Sequence, residues 1–223
     1  MVNAATRSEA RIKQLSCLGL GGEAIMPALF HELAELIPSY SSSFFFSDER
    51  GQVANIYEEN QPVDILDLHV QEFVNRREKD VSLDFTEQVN TCVGVLGPEH
   101  VLKVDPSTFE RSDLYNLILR QIGCHDFIRL VVRNHGHPLG ILSLHRPVDE
   151  RPFTTEDRRR LASLESFIAH AMTERRKIDW RLVDSEKSSL IIADTEGRLI
   201  HSTAEGRKLL LLANYPWITE GCA

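Results

Sequence analysis

Histidine side chains have the clearest capacity for chemistry in this sequence, since imidazole binds metal ions and exchanges protons near neutral pH. His135 and His137 are separated by one residue in a predicted turn, and His145 lies near the end of the strand that follows. Two imidazoles on one side of an extended chain can converge on a metal ion, but a metal site needs a third ligand. The sequence offers no convincing third ligand, so we expect solvated turn histidines and no metal site.

Other motifs of catalysis or cofactor binding do not stand out. Residues 19–22 are rich in glycine, but they follow a predicted helix rather than a strand, which is the wrong context for a dinucleotide fingerprint. No Cys-x-x-Cys pair occurs, which disfavours a structural zinc site. The sequence therefore identifies no cofactor and predicts free, mostly buried thiols at Cys17, Cys92, Cys124 and Cys222.

Composition and charge limit the class of protein. The 223 residues suffice for one domain with an extension or a partial second domain. The formal net charge is −8, from 33 acidic against 25 basic residues, whereas a domain that reads DNA usually has a basic face. No apolar run reaches the ~18 residues of a membrane span, and the charged N-terminus is unlike a signal peptide. We expect a cytoplasmic protein without membrane contact, in which this segment does not itself bind DNA.

Hydrophobic periodicity predicts the elements of the first half of the chain. Apolar residues recur mostly three or four positions apart over residues 23–37, and Pro38 ends this helix. Asp48 and Gly51 lie between two β-prone runs, which predicts strand, tight turn and strand. The predicted order is helix 7–18, helix 23–37, strand 40–46, strand 52–57, helix 62–77, and then loops with a short strand or two over 78–106.

The second half contains the clearest signals. A short helix is predicted over 112–121, followed by an antiparallel hairpin with strands 125–133 and 139–146. A long helix follows Thr154, which can form a capping box with Asp157. This helix either packs on the chain's own sheet or forms a seam between two copies. The apolar residues that form its heptad-like stripe are Leu161, Leu164, Ile168, Ala171 and Ile178.

One succession of residues resembles a known family. Residues 138–145, a strand of aliphatic residues with Gly140, are followed by Phe153, Thr154 and Asp157 and by a helix rich in Leu and Ala. This resembles the C-terminal half of a GAF domain, where a glycine-containing strand, a Phe-Thr-x-x-Asp motif and a final helix follow one another. Upstream, the order of the elements matches as well, so the resemblance covers roughly residues 22–174.

The tail resembles the opening of a PAS domain, with strand 189–193, an Asp-x-x-Gly-Arg turn at 194–198, strand 198–202 and helix 204–213. Ser202 and Thr203 stand where that family has an asparagine. A GAF domain followed by a PAS-like segment occurs in bacterial LuxR-type helix-turn-helix regulators and in sensor kinases. The predicted domains are an N-terminal helix (1–21), a GAF-like sensor domain (22–176) and a connecting helix end with a partial PAS-like segment (177–223).

The resemblance implies an α+β fold. It has an antiparallel sheet of five or six strands, the terminal helices on one face and a covered ligand pocket on the other. Aromatic side chains can supply large apolar area to such a pocket. The aromatic candidates by position, some of which belong to the core, are Phe44, Phe46, Tyr57, Phe73, Phe85, Tyr115 and Phe127. The predicted ligand-binding set omits Phe85 and adds His125, which with Asp126 could line the pocket mouth.

The implied function is that of a small-molecule-sensing regulatory domain in a bacterial transcriptional regulator. It would be a homodimer, would reach DNA only through a further output module, and would not be an enzyme. One alternative is a structural dimerisation module whose pocket is filled by its own side chains. Another is a GAF-type enzyme that reduces free methionine sulfoxide, for which Cys92 and Cys124 are available without the expected three-cysteine pattern. The bilin and cyclic-nucleotide signatures of the family are absent.

Overall fold

The chain divides into two units, Met1–Arg175 and Arg176–Ala223. A computed structural model describes residues 4–18, 21–59, 63–173, 189, 191–193, 199–203 and 206. Within these residues, no helix is both long enough and apolar enough to cross a membrane.

The first unit is built around a five-stranded antiparallel sheet. Its strands lie in the spatial order β2-β1-β5-β4-β3. Mixed helix and antiparallel sheet confirm the predicted α+β class and the predicted number of strands. The strands are β1 (Ser41–Ser47), β2 (Val53–Glu59), β3 (Gly94–Leu96), β4 (Asp126–Asn134) and β5 (His137–Arg146).

One face of the sheet is covered by the helices from the two ends of the unit. Even-numbered residues of β4 and β5, such as Ile128, Leu130 and Leu144, point into this layer and are fully buried. Burial of these aliphatic side chains is the main stabilising contribution on this side of the sheet. The helices are α1 (Ala4–Cys17), α2 (Gly22–Leu36), α7 (Thr155–Ser163) and α8 (Glu165–Met172).

The other face is covered by short helices and turns, where the sequence prediction was partly wrong. The helix predicted over 62–77 is found from Val63 to Phe73, where α3 continues into a π-helical turn, but it ends four residues early. A helix at 85–91 was missed within a predicted loop. Asp84 and Glu87 form a capping box that begins the missed helix. The covering elements are α3 (Val63–Leu68), the π-helical turn His69–Phe73, the 3₁₀ turn Arg77–Asp80, α4 (Phe85–Thr91), α5 (Pro98–Val101), α6 (Pro106–Glu110) and the π-helical turn Leu114–Leu119.

The predicted β4–β5 hairpin is confirmed with a two-residue turn. Asn134 pairs with His137, and the turn residues His135 and Gly136 have φ angles of 48° and 84°. Two consecutive positive φ values define the turn that matches the twist of paired strands. His135 and His137 are both exposed at this tip. Among the described residues, no group of three or more His, Cys, Asp or Glu side chains could hold a metal ion.

The C-terminal helix of the unit begins as predicted but is interrupted. Thr154 and Asp157 form the predicted capping box, and the helix breaks at Leu164 before α8 continues to Met172. The stripe residues Leu161, Leu164 and Ile168 are fully buried within the chain. They therefore pack on the chain's own core, which is the first of the two interpretations of this stripe. Ile178 and the predicted helical continuation lie outside the described residues.

The second unit is described only in part. Strands β6 (Ile191–Ala193) and β7 (Leu199–Ser202) pair in antiparallel fashion, with Ile191 opposite Ser202. The two strands agree with the hairpin predicted from the sequence. The helix predicted over 204–213 lies outside the described residues, apart from Gly206.

Candidate functional site

A cavity lies between the sheet and its short-helix cover, on the face opposite α1, α2, α7 and α8. It has an empty volume of about 520 Å³, which includes space that is open to solvent. Strands β1, β2, β4 and β5 form its floor, while the segments around α3, α4 and residues 119–122 form its walls. The apolar lining consists of Phe45, Val74, Phe85, Leu119, Ile122 and Ile141.

A row of polar side chains crosses the floor on four adjacent strands. Glu58 of β2 pairs with Ser43 of β1, Ser43 pairs with Ser143 of β5, and Ser143 pairs with Arg129 of β4. Directly paired residues of antiparallel strands point to the same face, and all four line the cavity. The row therefore has a guanidinium at one end, a carboxyl group at the other and two small hydroxyl side chains between them.

Arg129 is held in place by Gln88 of α4, but one of its N–H donors has no partner among the described residues. Its Nη1 donates to Gln88 Oε1 at 2.9 Å, and Gln88 Nε2 in turn donates to the Leu83 carbonyl at 2.7 Å. The guanidinium lies 4.6 Å from the Phe127 ring centroid. Its Nε is buried and has no hydrogen-bond partner in the described part of the chain. Burial lowers the pKa of Arg129, and the nearby Glu78 opposes that change.

Two glutamates differ in how they are satisfied. Glu78 accepts the backbone N–H groups of Asn75 and Phe85 at 2.7 and 3.1 Å, although burial still raises its pKa. Glu58 has its Oε2 buried without a hydrogen-bond partner among the described residues. Burial raises the pKa of Glu58 to about 7. Glu58 is therefore the carboxyl group whose charge depends most on what enters the cavity.

Two histidines in the cavity are neutral at physiological pH. Burial, with the Arg129 charge as a smaller cause, lowers the pKa of His69 to about 4. The same two causes, together with His69, lower the pKa of His145 to about 3. His145 is buried, and its Nδ1 lies 3.1 Å from Ser41 Oγ. These imidazoles can donate or accept hydrogen bonds but add no positive charge near Arg129.

Replacing His145 by asparagine should change how stability depends on pH. The unfolded histidine has a pKa of about 6.5, so on acidification the unfolded wild-type chain takes up a proton that the native cavity excludes. Wild-type stability is therefore lost as the pH falls below about 6.5. Relative to wild type, His145→Asn should gain about 2 kcal/mol between pH 7 and pH 5. Urea unfolding at both pH values measures this difference.

A variant without a titrating group provides the control for this experiment. Phe127 is the strand partner of His145, and the destabilisation caused by Phe127→Leu should be the same at pH 7 and pH 5. Glu58 also makes stability depend on pH, but with the opposite sign to His145, because the pKa of Glu58 is raised. Since wild type and variant both contain Glu58, its contribution cancels in the comparison. A stability difference for His145→Asn that does not vary with pH would contradict the buried neutral imidazole.

The family model of the GAF domain matches residues 18–172. These residues include the whole five-stranded sheet and every residue that lines the cavity. The chain belongs to the GAF domain family. GAF domains are small-molecule-sensing regulatory domains.

The chain is similar to several solved structures, and one of them, with a TM-score above 0.5, shows the same fold. The GAF domain of a phosphoenolpyruvate-protein phosphotransferase from Coxiella burnetii matches with a TM-score of 0.51 and 16% identity, over 76% of this chain and 92% of that chain. The VqsR LBD domain from Pseudomonas aeruginosa matches at 0.47 and 18%, over 78% and 100%. The N-acylhomoserine lactone dependent LuxR family factor CepR2 from Burkholderia cenocepacia matches at 0.48 and 12%, over 76% and 93%. No curated protein matches the sequence.

The structure places all seven predicted ligand-binding residues outside the cavity. Phe44, Phe46 and Tyr57 point to the opposite face of the sheet, where Tyr57 lies 5.4 Å from the Phe30 ring of α2. Phe73 and Phe127 are buried in a cluster of apolar side chains on the cavity side of the sheet. None of these five described residues lines the cavity. Phe85, which the predicted set omitted, does line it.

Tyr115 and His125 meet in a second concavity that is more open to solvent. The Tyr115 hydroxyl lies 3.2 Å from His125 Nδ1, and Cys124 lies in the same concavity. These two predicted residues are therefore brought together, but outside the cavity whose floor is the GAF sheet.

The polar residues of the cavity were missed, although the sequence contains a signal for some of them. Arg129 alternates with aliphatic residues in a strand that is buried on both faces, so an arginine there must point into the protein interior. Ser143 and His145 alternate with Leu142 and Leu144 in the same way. Polar residues at alternate positions of a central GAF strand indicate a polar cavity rather than an apolar core.

The cysteines of the sulfoxide-reductase alternative do not line the cavity. Cys124 is buried, and burial raises the pKa of its thiol to about 12. A thiol must ionise to act as a nucleophile, so this side chain is poorly suited to attack a sulfoxide. Cys92 is a half-buried free thiol that packs beside the second apolar cluster of the GAF domain.

Proposed function

We propose that this chain is the small-molecule-sensing part of a bacterial transcriptional regulator and that the polar cavity is its ligand site. In this proposal the protein is cytoplasmic, homodimeric and not an enzyme, and it reaches DNA only through an output module beyond a PAS-like segment. The ligand binds on the cavity side of the sheet and changes the arrangement of the helices on the other side.

The observation that supports this proposal most directly is the alternation of residues along β5. Ser143 and His145 line the cavity, whereas Leu142 and Leu144 are fully buried against the terminal helices. A ligand that displaces β5 therefore also moves the surface on which α2 and α8 pack. Because interiors are close-packed, such a displacement cannot be absorbed without moving the helices.

The ligand can act as a signal only if it binds one helix arrangement more tightly than the other. The strand leads directly to the helices, since β5 ends at Arg146 and Arg146 bonds to Asp157 in the first turn of α7. A displacement of β5 would therefore be transmitted to α7 through the chain itself and through the bond between Arg146 and Asp157. The proposed homodimer would place two such ends side by side.

Native mass spectrometry of the purified chain, compared with the denatured chain, tests both the ligand and the oligomeric state. We expect a dimer with an additional mass that disappears on denaturation. Ser143→Leu places a larger side chain on the cavity floor and should abolish the additional mass. Ser163→Leu, at an exposed position of α7, should retain it.

A dimer of bare chains that also shows no shift in melting temperature with a metabolite library would contradict the sensor proposal. It would favour the structural dimerisation module instead. A monomer with bound small molecule would support sensing and contradict the homodimer.

A further inference from the structure

Two buried polar atoms in the cavity have no partner, and they differ in chemistry. One is Arg129 Nε, a donor on a cation, and the other is Glu58 Oε2, an acceptor on a carboxyl group. A buried polar atom without a hydrogen bond destabilises the protein, because its bond to water is lost and not replaced. Both atoms belong to the row that crosses the cavity floor, so a single bound molecule could satisfy both.

The Arg129 end is arranged for a planar anion. Nη1 is occupied by Gln88, whereas the buried Nε has no hydrogen-bond partner among the described residues. Nε and Nη2 form the other edge of the guanidinium. Two parallel N–H groups on one edge of guanidinium match the two oxygens of a carboxylate. The bond between Gln88 and the Leu83 carbonyl fixes this orientation before any ligand arrives.

The Glu58 end is arranged for a donor. When ionised, a buried carboxylate needs a cation or several N–H groups beside it. No arginine or lysine forms a salt bridge with Glu58 among the described residues. An ammonium group would supply three donors and an opposite charge at this point.

The floor between the two ends is small and polar. Arg129 and Glu58 are three strand spacings apart, about 14 Å between backbones, and both line the cavity. Ser43 and Ser143 lie between them and contribute only hydroxymethyl groups. Phe45 and Ile141 form the next row and provide an apolar surface for a ligand side chain.

We propose that the cavity binds a small zwitterion with both a carboxylate and an ammonium group, that is, a free amino acid. Arg129 receives the carboxylate, Glu58 receives the ammonium group, and the hydroxyls of Ser43 and Ser143 bond to either of these two groups. This inference rests on the proposed sensor function and names the class of molecule that is sensed. A purely anionic ligand would leave Glu58 unpaired, and a purely cationic ligand would leave Arg129 unpaired.

Isothermal titration calorimetry of the full chain with the common L-amino acids tests the proposal. At least one amino acid should bind, and its carboxamide and its N-acetyl derivative should both bind much more weakly. Arg129→Gln should weaken binding of that amino acid about 100-fold, and Glu58→Gln roughly tenfold. Arg129→Lys, which keeps the charge without the two-pronged geometry, should fall between wild type and Arg129→Gln.

Glu59→Gln is the matched control, because Glu59 is the next residue on β2 and lies near the Tyr57 hydroxyl on the opposite face. This variant should bind like wild type, and circular dichroism should show every variant folded. Equal binding of the amino acid and its N-acetyl derivative, with no effect of Glu58→Gln, would overturn the zwitterion while leaving a sensor of organic acids. Absence of binding by any amino acid, with another small molecule found by native mass spectrometry, would overturn the ligand class and leave the sensor function intact.

Discussion

Replacing Arg146 by methionine is expected to destabilise the first unit by about 3–5 kcal/mol, because it leaves a buried charge without its partner. Arg146 is 1% exposed, and its Nη1 donates to Asp157 Oδ2 at 3.2 Å. Its Nε donates to the Pro38 carbonyl at 2.8 Å, and the guanidinium lies 3.9 Å from the Phe153 ring centroid. Since domains are stable by only about 5–15 kcal/mol in total, this loss should be plain in urea unfolding.

Asp157 explains why this loss should be large. It caps α7 through the Thr154 backbone N–H and also accepts from Arg146. Burial alone would raise the pKa of Asp157, but the bonds from Thr154 and Arg146 hold it below its usual value. Without Arg146, the carboxylate must either stay ionised in a buried site or take up a proton and weaken the cap.

A double-mutant cycle separates the charge from the packing. Asp157→Asn keeps an oxygen for the Thr154 N–H but removes the charge, so the double variant with Arg146→Met should lose less stability than the sum of the two single variants. Arg159→Met is the control on the same helix, since Arg159 is an exposed partner of Glu156. It should change the free energy of unfolding little, because exposed ion pairs contribute little to stability. Additive effects of Arg146→Met and Asp157→Asn would show that the pair is not coupled.

Replacing Gly140 by alanine should destabilise the sheet by about 2–5 kcal/mol, through backbone strain and overpacking together. Gly140 has a φ angle of 151°, which side chains of L-residues rarely adopt. A Cβ there would collide with the Phe45 carbonyl oxygen and come within 2.7 Å of the Phe44 ring. Since Gly140 is paired with Phe46, strands β1 and β5 would have to separate. Thermal and urea unfolding measure the loss.

Gly136 provides the matched control for Gly140. It also has a positive φ angle, 84°, but a Cβ there would meet nothing within 4 Å. Gly136→Ala should therefore show the conformational cost alone, about 1–2 kcal/mol. If the two variants were equally destabilised, close approach of β1 and β5 would not be the reason for glycine at position 140.

Features that depend only on residues adjacent in sequence were predicted correctly. The β4–β5 turn and the Thr154–Asp157 capping box both follow from a few adjacent residue types. The capping box of Asp84 and Glu87 was equally visible in the sequence. It was missed because the helix it begins is only seven residues long and is followed by a segment that contains Gly94, Gly97 and Pro98.

The candidate site could not be predicted in the same way. The face of the sheet to which each of its residues points depends on strand partners that are remote in sequence. Strand β1 is buried along most of its length and reads Ser-Ser-Ser-Phe-Phe-Phe-Ser, so hydrophobic alternation does not reveal which residues face the cavity. A shift of one residue sends every side chain of a strand to the other face. The prediction chose Phe44 and Phe46, whereas the structure places Ser43 and Phe45 on the cavity side.

The exposed tip of the β4–β5 hairpin has a practical consequence. His135 and Gly136 form a two-residue turn at the surface, and exposed turns are positions where inserted sequences are tolerated. The two strands that meet there supply Arg129, Ser143 and His145 to the cavity floor. A circularly permuted fluorescent protein inserted at this turn would be joined directly to those strands. The hairpin is therefore the position of choice for converting this domain into an optical biosensor.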